Sequence, residues 1–330
     1  MEKRQLGKTD LYVSIIGFGS WAIGGPAMAG TTPLGWGDVD DTTSMKALLR
    51  ACELGINFYD TADIYGLGHS EELIGKVFGN RGDIIVATKV GYRLGRDDSI
   101  IKDFSSQHIL KSCEESLRRL KRERIDLYQL HSAKVTDLQQ GECIDALEQL
   151  RERGKIRYWG TSLNTFKPEP EAEYLMEKNL GWSFQLVLNI INQRSIPLLR
   201  KAAEQGYGTI VRMPLQFGLL SGKFTRDTRF PDTDHRSFRL TAEIISQSRD
   251  ALESVSLLAE KYGISKSSLS LSFCASFPEV STIIPGMKTL EQVEMNTAGI
   301  ERLSQKDLRM LAELYTDKFA AIVELMEKQG

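Results

Sequence analysis

The amino-acid sequence predicts a closed (β/α)8 barrel formed by a single domain over residues 1–330, and three observations carry that expectation. Eight short apolar runs recur along the chain, each is followed by a segment with helical periodicity, and no linker or shift in composition interrupts the alternation. A length of 330 residues admits two ordinary domains or one large α/β barrel. Unbroken alternation selects the barrel.

The chain opens with a hairpin pattern, in which Gln5-Leu6 and Leu11-Tyr12 flank the turn residues Gly7-Lys8-Thr9-Asp10. The first barrel strand is expected at 13–18, followed by a Gly- and Pro-rich connection over 21–40. Met45, Leu48, Leu49 and Cys52 then share one helix face, and Gly55 stops it. Strands at 56–60 and 84–88 bracket a helix with Leu73, Ile74 and Val77 on its inner side and Ser70 as its expected cap. The strand at 125–130 precedes the stripe Ile144, Leu147 and Leu150, which ends at Gly154. Strands at 158–161 and 184–190 follow, then Ile196, Leu199 and Ala203 before Gly206, and a strand at 209–213. A second long connection, 214–239, leads to Leu252, Val255, Leu258, Ala259 and Tyr262. The eighth strand is expected at 282–285, and a helix from about 304 onward is an addition to the barrel. The runs are short, apolar and bounded by turn residues, as buried parallel strands are.

Composition excludes several classes. The chain is 41% hydrophobic and 26% charged with a formal net charge of -2, so no global field directs it to nucleic acid or anionic lipid. The basic run 118–124 is interleaved with Ile109, Cys113, Leu117 and Leu120 at helical spacing and reads as a solvated face. Cys52, Cys113, Cys143 and Cys274 form no C-x-x-C pair, which favours reduced core thiols over a metal site. The first residues lack a signal stretch and no segment reaches membrane-span length, so a soluble, cytoplasmic protein without an obligate protein partner is expected. Two motifs are decoys. Gly17-Phe-Gly19-Ser-Trp-Ala22 matches a dinucleotide fingerprint, but the Ile-Gly-Gly-Pro that follows cannot start the helix the motif requires. Tyr174 and Lys178 have the spacing of a dehydrogenase pair without such a fingerprint upstream.

Four polar residues stand at or just beyond strand ends: Asp60, Tyr65, Lys89 and His131. Each alone has a structural explanation, as turn cap, rim aromatic, strand-end lysine or core histidine. A parallel barrel brings all four to one face, and their chemistry is complementary. A carbonyl that accepts hydride needs a proton, and a phenol can give one. An adjacent ammonium lowers the phenol's pKa, a carboxylate balances the ammonium, and a neutral imidazole holds the carbonyl oxygen.

Here the chain resembles the aldo-keto reductases. The stretches Gly55-Ile-Asn-Phe-Tyr-Asp60-Thr-Ala-Asp-Ile-Tyr65-Gly66, Ala87-Thr-Lys89 and Asp126-Leu-Tyr-Gln-Leu-His131 are similar to that family's signatures, in order and spacing, and the likeness covers nearly the whole chain. The chain is similar to the bacterial-type branch that includes potassium-channel beta subunits and inositol- or sugar-type oxidoreductases. The resemblance implies Tyr65 as acid/base, Lys89 as its modulator, Asp60 as partner of Lys89 and His131 as substrate orienter. It implies NADP(H), in preference to NAD(H), and no metal. Gly154-Lys-Ile-Arg-Tyr-Trp-Gly160-Thr-Ser162 and Gln185 imply contacts to the nicotinamide carboxamide. Ser20 and Trp21 match the first-strand contact, and Leu215 with Gly218-Leu-Leu-Ser221-Gly-Lys223 matches the pyrophosphate loop. Gly286, Lys288, Gln292 and Asn296 match the adenosine end, with Arg236 as an added guanidinium, although Thr289 and Gln292 also have capping-box spacing. Two departures stand out. Gly286-Met287 replaces the Lys-Ser pair common in the family, and Arg212 stands where an aromatic commonly stacks on the nicotinamide. The expected activity is reduction of an aldehyde or ketone, sugar-like from the polar and aromatic loops 21–40, 92–93 and 225–240. Oxidation of a polyol and a non-catalytic, cofactor-sensing subunit are the alternatives.

Overall fold

Eight parallel strands follow one another around a barrel in the computed structural model, which describes residues 1–225, 227–232 and 234–329. They are Phe18–Gly19, Phe58–Asp60, Ile85–Val90, Ile125–His131, Ile156–Ser162, Ser183–Val187, Gly208–Arg212 and Thr282–Ile284, each hydrogen-bonded to the next in chain order. Parallel bridges from Ile16 to Ile283 and from Gly19 to Gly286 join the last strand to the first. Helices from Asp41–Glu53 onward cover the outside, as the apolar stripes require.

Several boundaries differ from the sequence reading. The run expected as one strand at 13–18 is two elements: Tyr12–Ser14 pairs antiparallel with Lys3–Gln5 in the opening hairpin, and only Phe18–Gly19 enters the barrel. The third strand extends to Val90, which places Lys89 inside it rather than after it. The fifth strand begins at Ile156 and ends at Ser162. The sixth stops at Val187, because the Asn189 carboxamide oxygen accepts from the Ile191 and Asn192 amides and turns the chain. All four cysteines are free and lie in helices.

The opening hairpin plugs one end of the barrel. Leu6, Leu11 and Val13 pack on Phe58, Ile85, Leu127 and Ile210. Phe58 and Ile85 begin their strands, so the plug covers the N-terminal mouth. The other mouth is left to the strand ends, where Asp60, His131, Ser162 and Arg212 are each the last residue of a strand. The added C-terminal helix runs through Gln305–Leu314 and Ala320–Gln329, with a π-helical turn at Tyr315–Phe319 between them. Among the described residues, no helix is long and apolar enough to cross a membrane.

Candidate active site

Lys89 is fully buried, and its ammonium has three hydrogens and three acceptors. Nζ donates to Asp60 Oδ2 at 2.7 Å, to the Thr61 carbonyl at 2.8 Å and to the Tyr65 hydroxyl oxygen at 3.1 Å. Because Tyr65 accepts from Lys89, its own O–H is free to donate elsewhere. The carboxylate is held from its other side, where Gln185 Nε2 donates to Asp60 Oδ1 at 2.7 Å and Gln129 Nε2 at 3.3 Å.

Tyr65 follows the second strand on a tight turn, Tyr65–Gly68, with Gly66 at φ 60° and Leu67 at φ 54°. Gly66 packs so closely on the Gly24 carbonyl that a Cβ there would overlap it. The close approach ties the Tyr65 turn to the Trp21 loop, and the two rings meet edge-on with centroids 4.8 Å apart. Ser70 is not the helix cap; Gly68, at φ 99°, precedes the helix His69–Val77 instead. The Ser70 hydroxyl is buried and donates to Ser20 Oγ at 2.7 Å, and Ser20 Oγ donates to the Asp60 carbonyl at 2.7 Å. The Ser20 side chain therefore braces the site from behind.

The electrostatics follow from burial and these contacts. Desolvation opposes the charge on Lys89, but Asp60 and then Tyr65 outweigh it, and the ammonium is held above its ordinary range. Burial raises the Tyr65 phenol, while the Lys89 charge pulls it back. The net direction is upward, which corrects the expectation of a phenol brought down towards neutrality. Tyr65 is a protonated donor whose conjugate base has a cation waiting. Burial, then Lys89, Arg212 and Lys102, pushes His131 well below the ordinary imidazole range. The ring is neutral, as the sequence reading requires, with Nδ1 buried and unpartnered between Tyr65 and Tyr92.

Tyr65, His131 and Asp60 open onto a cavity of about 450 Å³, a size that suits a small-molecule ligand. Every residue expected to face a cofactor lines it, whereas Lys89 lies beneath its floor. Ser162 and Gln185 stand together, Ser162 Oγ 3.5 Å from Gln185 Oε1. Leu215 begins the turn Gln216–Ser221, in which Gly218 takes φ 98° and accepts from the Ser221 hydroxyl. Lys223 follows, exposed. Across the cavity, Thr289 caps the helix Leu290–Thr297 by accepting from the Gln292 amide. Gln292 does not complete the capping box; its Oε1 accepts from the Lys288 amide at 2.8 Å instead. Gly286 and the buried Asn296 flank this end.

The two long loops join over the cavity, which the sequence did not foretell. Trp36 and Asp234 form an antiparallel bridge, and the His235 amide donates to the Gly35 carbonyl at 3.2 Å. Arg236 is forked on the Asp234 carboxylate and lies over Phe230 and Trp36. Trp36, His235 and Arg239 thus become cavity residues that sequence reasoning missed. The only signal was their place in a loop rich in aromatics and charge. Within the loop expected at 225–240, Arg226 and Thr233 lie outside the described residues. Arg212 is clamped by the Leu163 carbonyl and Thr165 Oγ1, both at 3.1 Å.

The donor set fits a pyridine dinucleotide. Lys223, Lys288 and Arg236 offer cations for phosphates, the helix at Leu290 turns its N-terminus to the same space, and neutral hydrogen-bonding groups surround Tyr65. Among the described residues, no group of three or more His, Cys, Asp or Glu could hold a metal ion.

The chain is similar to known proteins over nearly its whole length. A family model described as the aldo/keto reductase family matches residues 15–316. The uncharacterized oxidoreductase YqkF of Bacillus subtilis (strain 168) is 31% identical, over 94% of this chain and 95% of its own length. The NADH-specific methylglyoxal reductase of Escherichia coli (strain K12) is 29% identical, over 95% of this chain and 98% of its own. Among solved structures, the holo form of aldo-keto reductase AKR11C1 from Bacillus halodurans superposes with a TM-score of 0.76 at 31% identity, covering 95% of this chain and 96% of that one.

Proposed function

The chain belongs to the aldo/keto reductase family, and from that premise we propose that it reduces an aldehyde or ketone to the alcohol with NADP(H), Tyr65 giving the proton. The observation that carries this reading is the Lys89 ammonium, held between the Asp60 carboxylate at 2.7 Å and the Tyr65 hydroxyl at 3.1 Å. When bound, the reduced nicotinamide supplies the hydride.

The chain's own residues supply the rest. Tyr65 donates its O–H to the carbonyl oxygen, and Lys89 stabilises the phenolate left behind. Asp60 keeps Lys89 charged. His131, neutral, donates an N–H to the same oxygen and sets its angle. The rings of Trp21 and Tyr92 exclude water from the reacting pair. Ser162 and Gln185 would hold the carboxamide, with Arg212 and Leu215 against the ring and Ser20 and Trp21 at its edge. Gly218, Ser221 and Lys223 would take the pyrophosphate. Gly286, Lys288, Gln292, Asn296 and Arg236 would take the adenosine end, where the cations Lys288 and Arg236 favour a 2′-phosphate and hence NADP(H). A cytoplasmic barrel that works without an obligate protein partner belongs to the same reading.

The test is cofactor titration by protein fluorescence, followed by turnover of an aldehyde panel with NADPH and NADH. Tyr65→Phe is expected to cut turnover by about 10²- to 10⁴-fold while cofactor binding stays within a few-fold. Tight NADPH binding with no turnover by the unaltered protein would mean a cofactor sensor instead.

A further inference from the structure

We propose that the carbonyl substrate carries an anionic group, a carboxylate or a phosphate ester, that seats against the guanidinium of Arg239 near Arg212 at the catalytic end of the cavity. The inference rests on the oxidoreductase reading above and adds the substrate's class.

Two guanidiniums in one cavity have no carboxylate in contact among the described residues. Arg212 and Arg239 both line it. The Nε of each is buried with no hydrogen-bond partner. The other bonds of Arg212 go to the Leu163 carbonyl, Thr165 Oγ1 and Met213 Sδ, all neutral acceptors. Arg239 has the Phe238 ring 5.1 Å away, a face that softens a charge without accepting a hydrogen bond. Neither forms an ion pair among the described residues. Burial weakens the protonated form of both; at Arg212 the nearby Tyr65, Tyr92 and Asp60 offset part of that, and Arg239 is near enough to oppose the charge. Cations whose Nε groups are buried and unpartnered are ordinarily paired, so two half-buried guanidiniums lining one ligand cavity form a site whose anion arrives with the ligand.

The cavity itself offers no substitute. Its carboxylate, Asp60, is committed to Lys89, Gln185 and Gln129. Arg236 already has Asp234. His131 is held neutral, and burial with Arg239 brings His235 down to about 4, so neither imidazole competes for an anion at neutral pH. Nor does the cofactor fill the need where the chemistry happens, because a nicotinamide ring is neutral when reduced and cationic when oxidised. The cofactor's phosphates have Lys223 and Lys288. Arg212, the last residue of its strand, is close enough to Tyr65 and His131 to act on both, and Arg239 is close enough to act on Arg212 and on His235, whose ring meets Trp21 at 5.6 Å while Trp21 meets Tyr65 at 4.8 Å.

The experiment compares matched carbonyl pairs with the NADPH-loaded protein: 4-carboxybenzaldehyde against benzaldehyde, and glyceraldehyde 3-phosphate against glyceraldehyde. In parallel, benzoate and benzamide are titrated against the tryptophan fluorescence of the NADP+-loaded protein. We expect the anionic member of one pair to lead in kcat/KM. Arg239→Met should shrink that ratio about ten- to a hundredfold, the worth of a charge-assisted hydrogen bond, and Arg239→Lys should restore part of it. Whichever pair responds identifies the anion as carboxylate or phosphate. Equal kcat/KM within both pairs overturns the proposal and leaves the oxidoreductase reading standing. A ratio untouched by Arg239→Met, with cofactor binding weakened instead, also overturns it, because the guanidinium then serves the dinucleotide. Benzoate that binds through Arg239 without any carbonyl being turned over supports the anion site and sinks the catalytic reading.

Discussion

Replacing Lys89 by Met separates the chemistry of the site from its stability. The side chain is fully buried and its ammonium satisfies Asp60, Thr61 and Tyr65 together. Removing one partner of a buried ion pair costs about 3–5 kcal/mol, because the other charge is left in a poor solvent. Asp60 would keep the Gln185 donor at 2.7 Å and the Gln129 donor at 3.3 Å, so the loss should lie near the lower figure. Turnover should fall by about 10²- to 10⁴-fold, since the phenolate loses the cation that stabilises it. The Lys89 charge lowers the Tyr65 pKa, so its removal moves the phenol further up. Alcohol oxidation, which needs phenolate as base, should therefore shift to higher pH in the variant. Adding Asp60→Asn removes the stranded carboxylate and should recover part of the stability but none of the turnover. Urea unfolding and single-turnover kinetics across pH read the two effects independently. A Lys89→Met protein with turnover within about threefold of the original would refute the acid-base assignment, because a mere buried strut loses stability and not rate.

Two further outcomes follow from other parts of the molecule. Lys288→Glu should weaken NADPH by about an order of magnitude, a charge-assisted contact exchanged for repulsion, with NADH little changed; equal loss for both cofactors would misplace the 2′-phosphate. Asp63 Oδ1 is buried without a partner, and burial, then Glu71, holds this carboxyl well above its usual range. Folding therefore takes up a proton once pH passes the unfolded value of about 4, and stability falls as pH rises. Asp63→Asn should flatten that decline between about pH 5 and about pH 8 in urea unfolding, and an unchanged slope would show Asp63 already ionised.

The barrel was legible because its strands must be apolar on both sides of the sheet while its connections must turn in water. Those two demands write short apolar runs between turn residues, and all eight runs were found. Their ends were less legible. Apolar continuity cannot distinguish an antiparallel hairpin from a parallel barrel strand, so Val13 and Phe18 were placed in one element although a bend at Ile15–Gly17 separates them. Ser70 looked like a helix cap by residue type, but tertiary packing used its hydroxyl to brace Ser20 and Asp60. Lys89 looked like a strand-end residue because a charge inside a strand is costly alone. It sits one residue before the strand's end because Asp60 and Tyr65 compensate it.

The site shows the same division between what a pattern encodes and what only contact creates. Asp60, Tyr65, Lys89 and His131 were legible because each stands a fixed distance from a strand end, and barrel geometry converts that spacing into proximity. The sign of the Tyr65 shift was not, because spacing names the neighbour that lowers the pKa and is silent about the desolvation that raises it. Loop residues obey no such conversion. Trp36 and Asp234 meet across nearly two hundred positions of sequence, and their bridge carries His235 and Arg239 over the cavity. An arginine in a loop is ordinarily a solvated charge. Arg239 differs because the assembled loops half-bury it and leave its Nε buried without a partner, and burial is a property of the assembled loops that no local pattern records. The substrate choice proposed for Arg239 is therefore written in the least legible part of the chain, while the proton chemistry proposed for Tyr65 is written in the most legible.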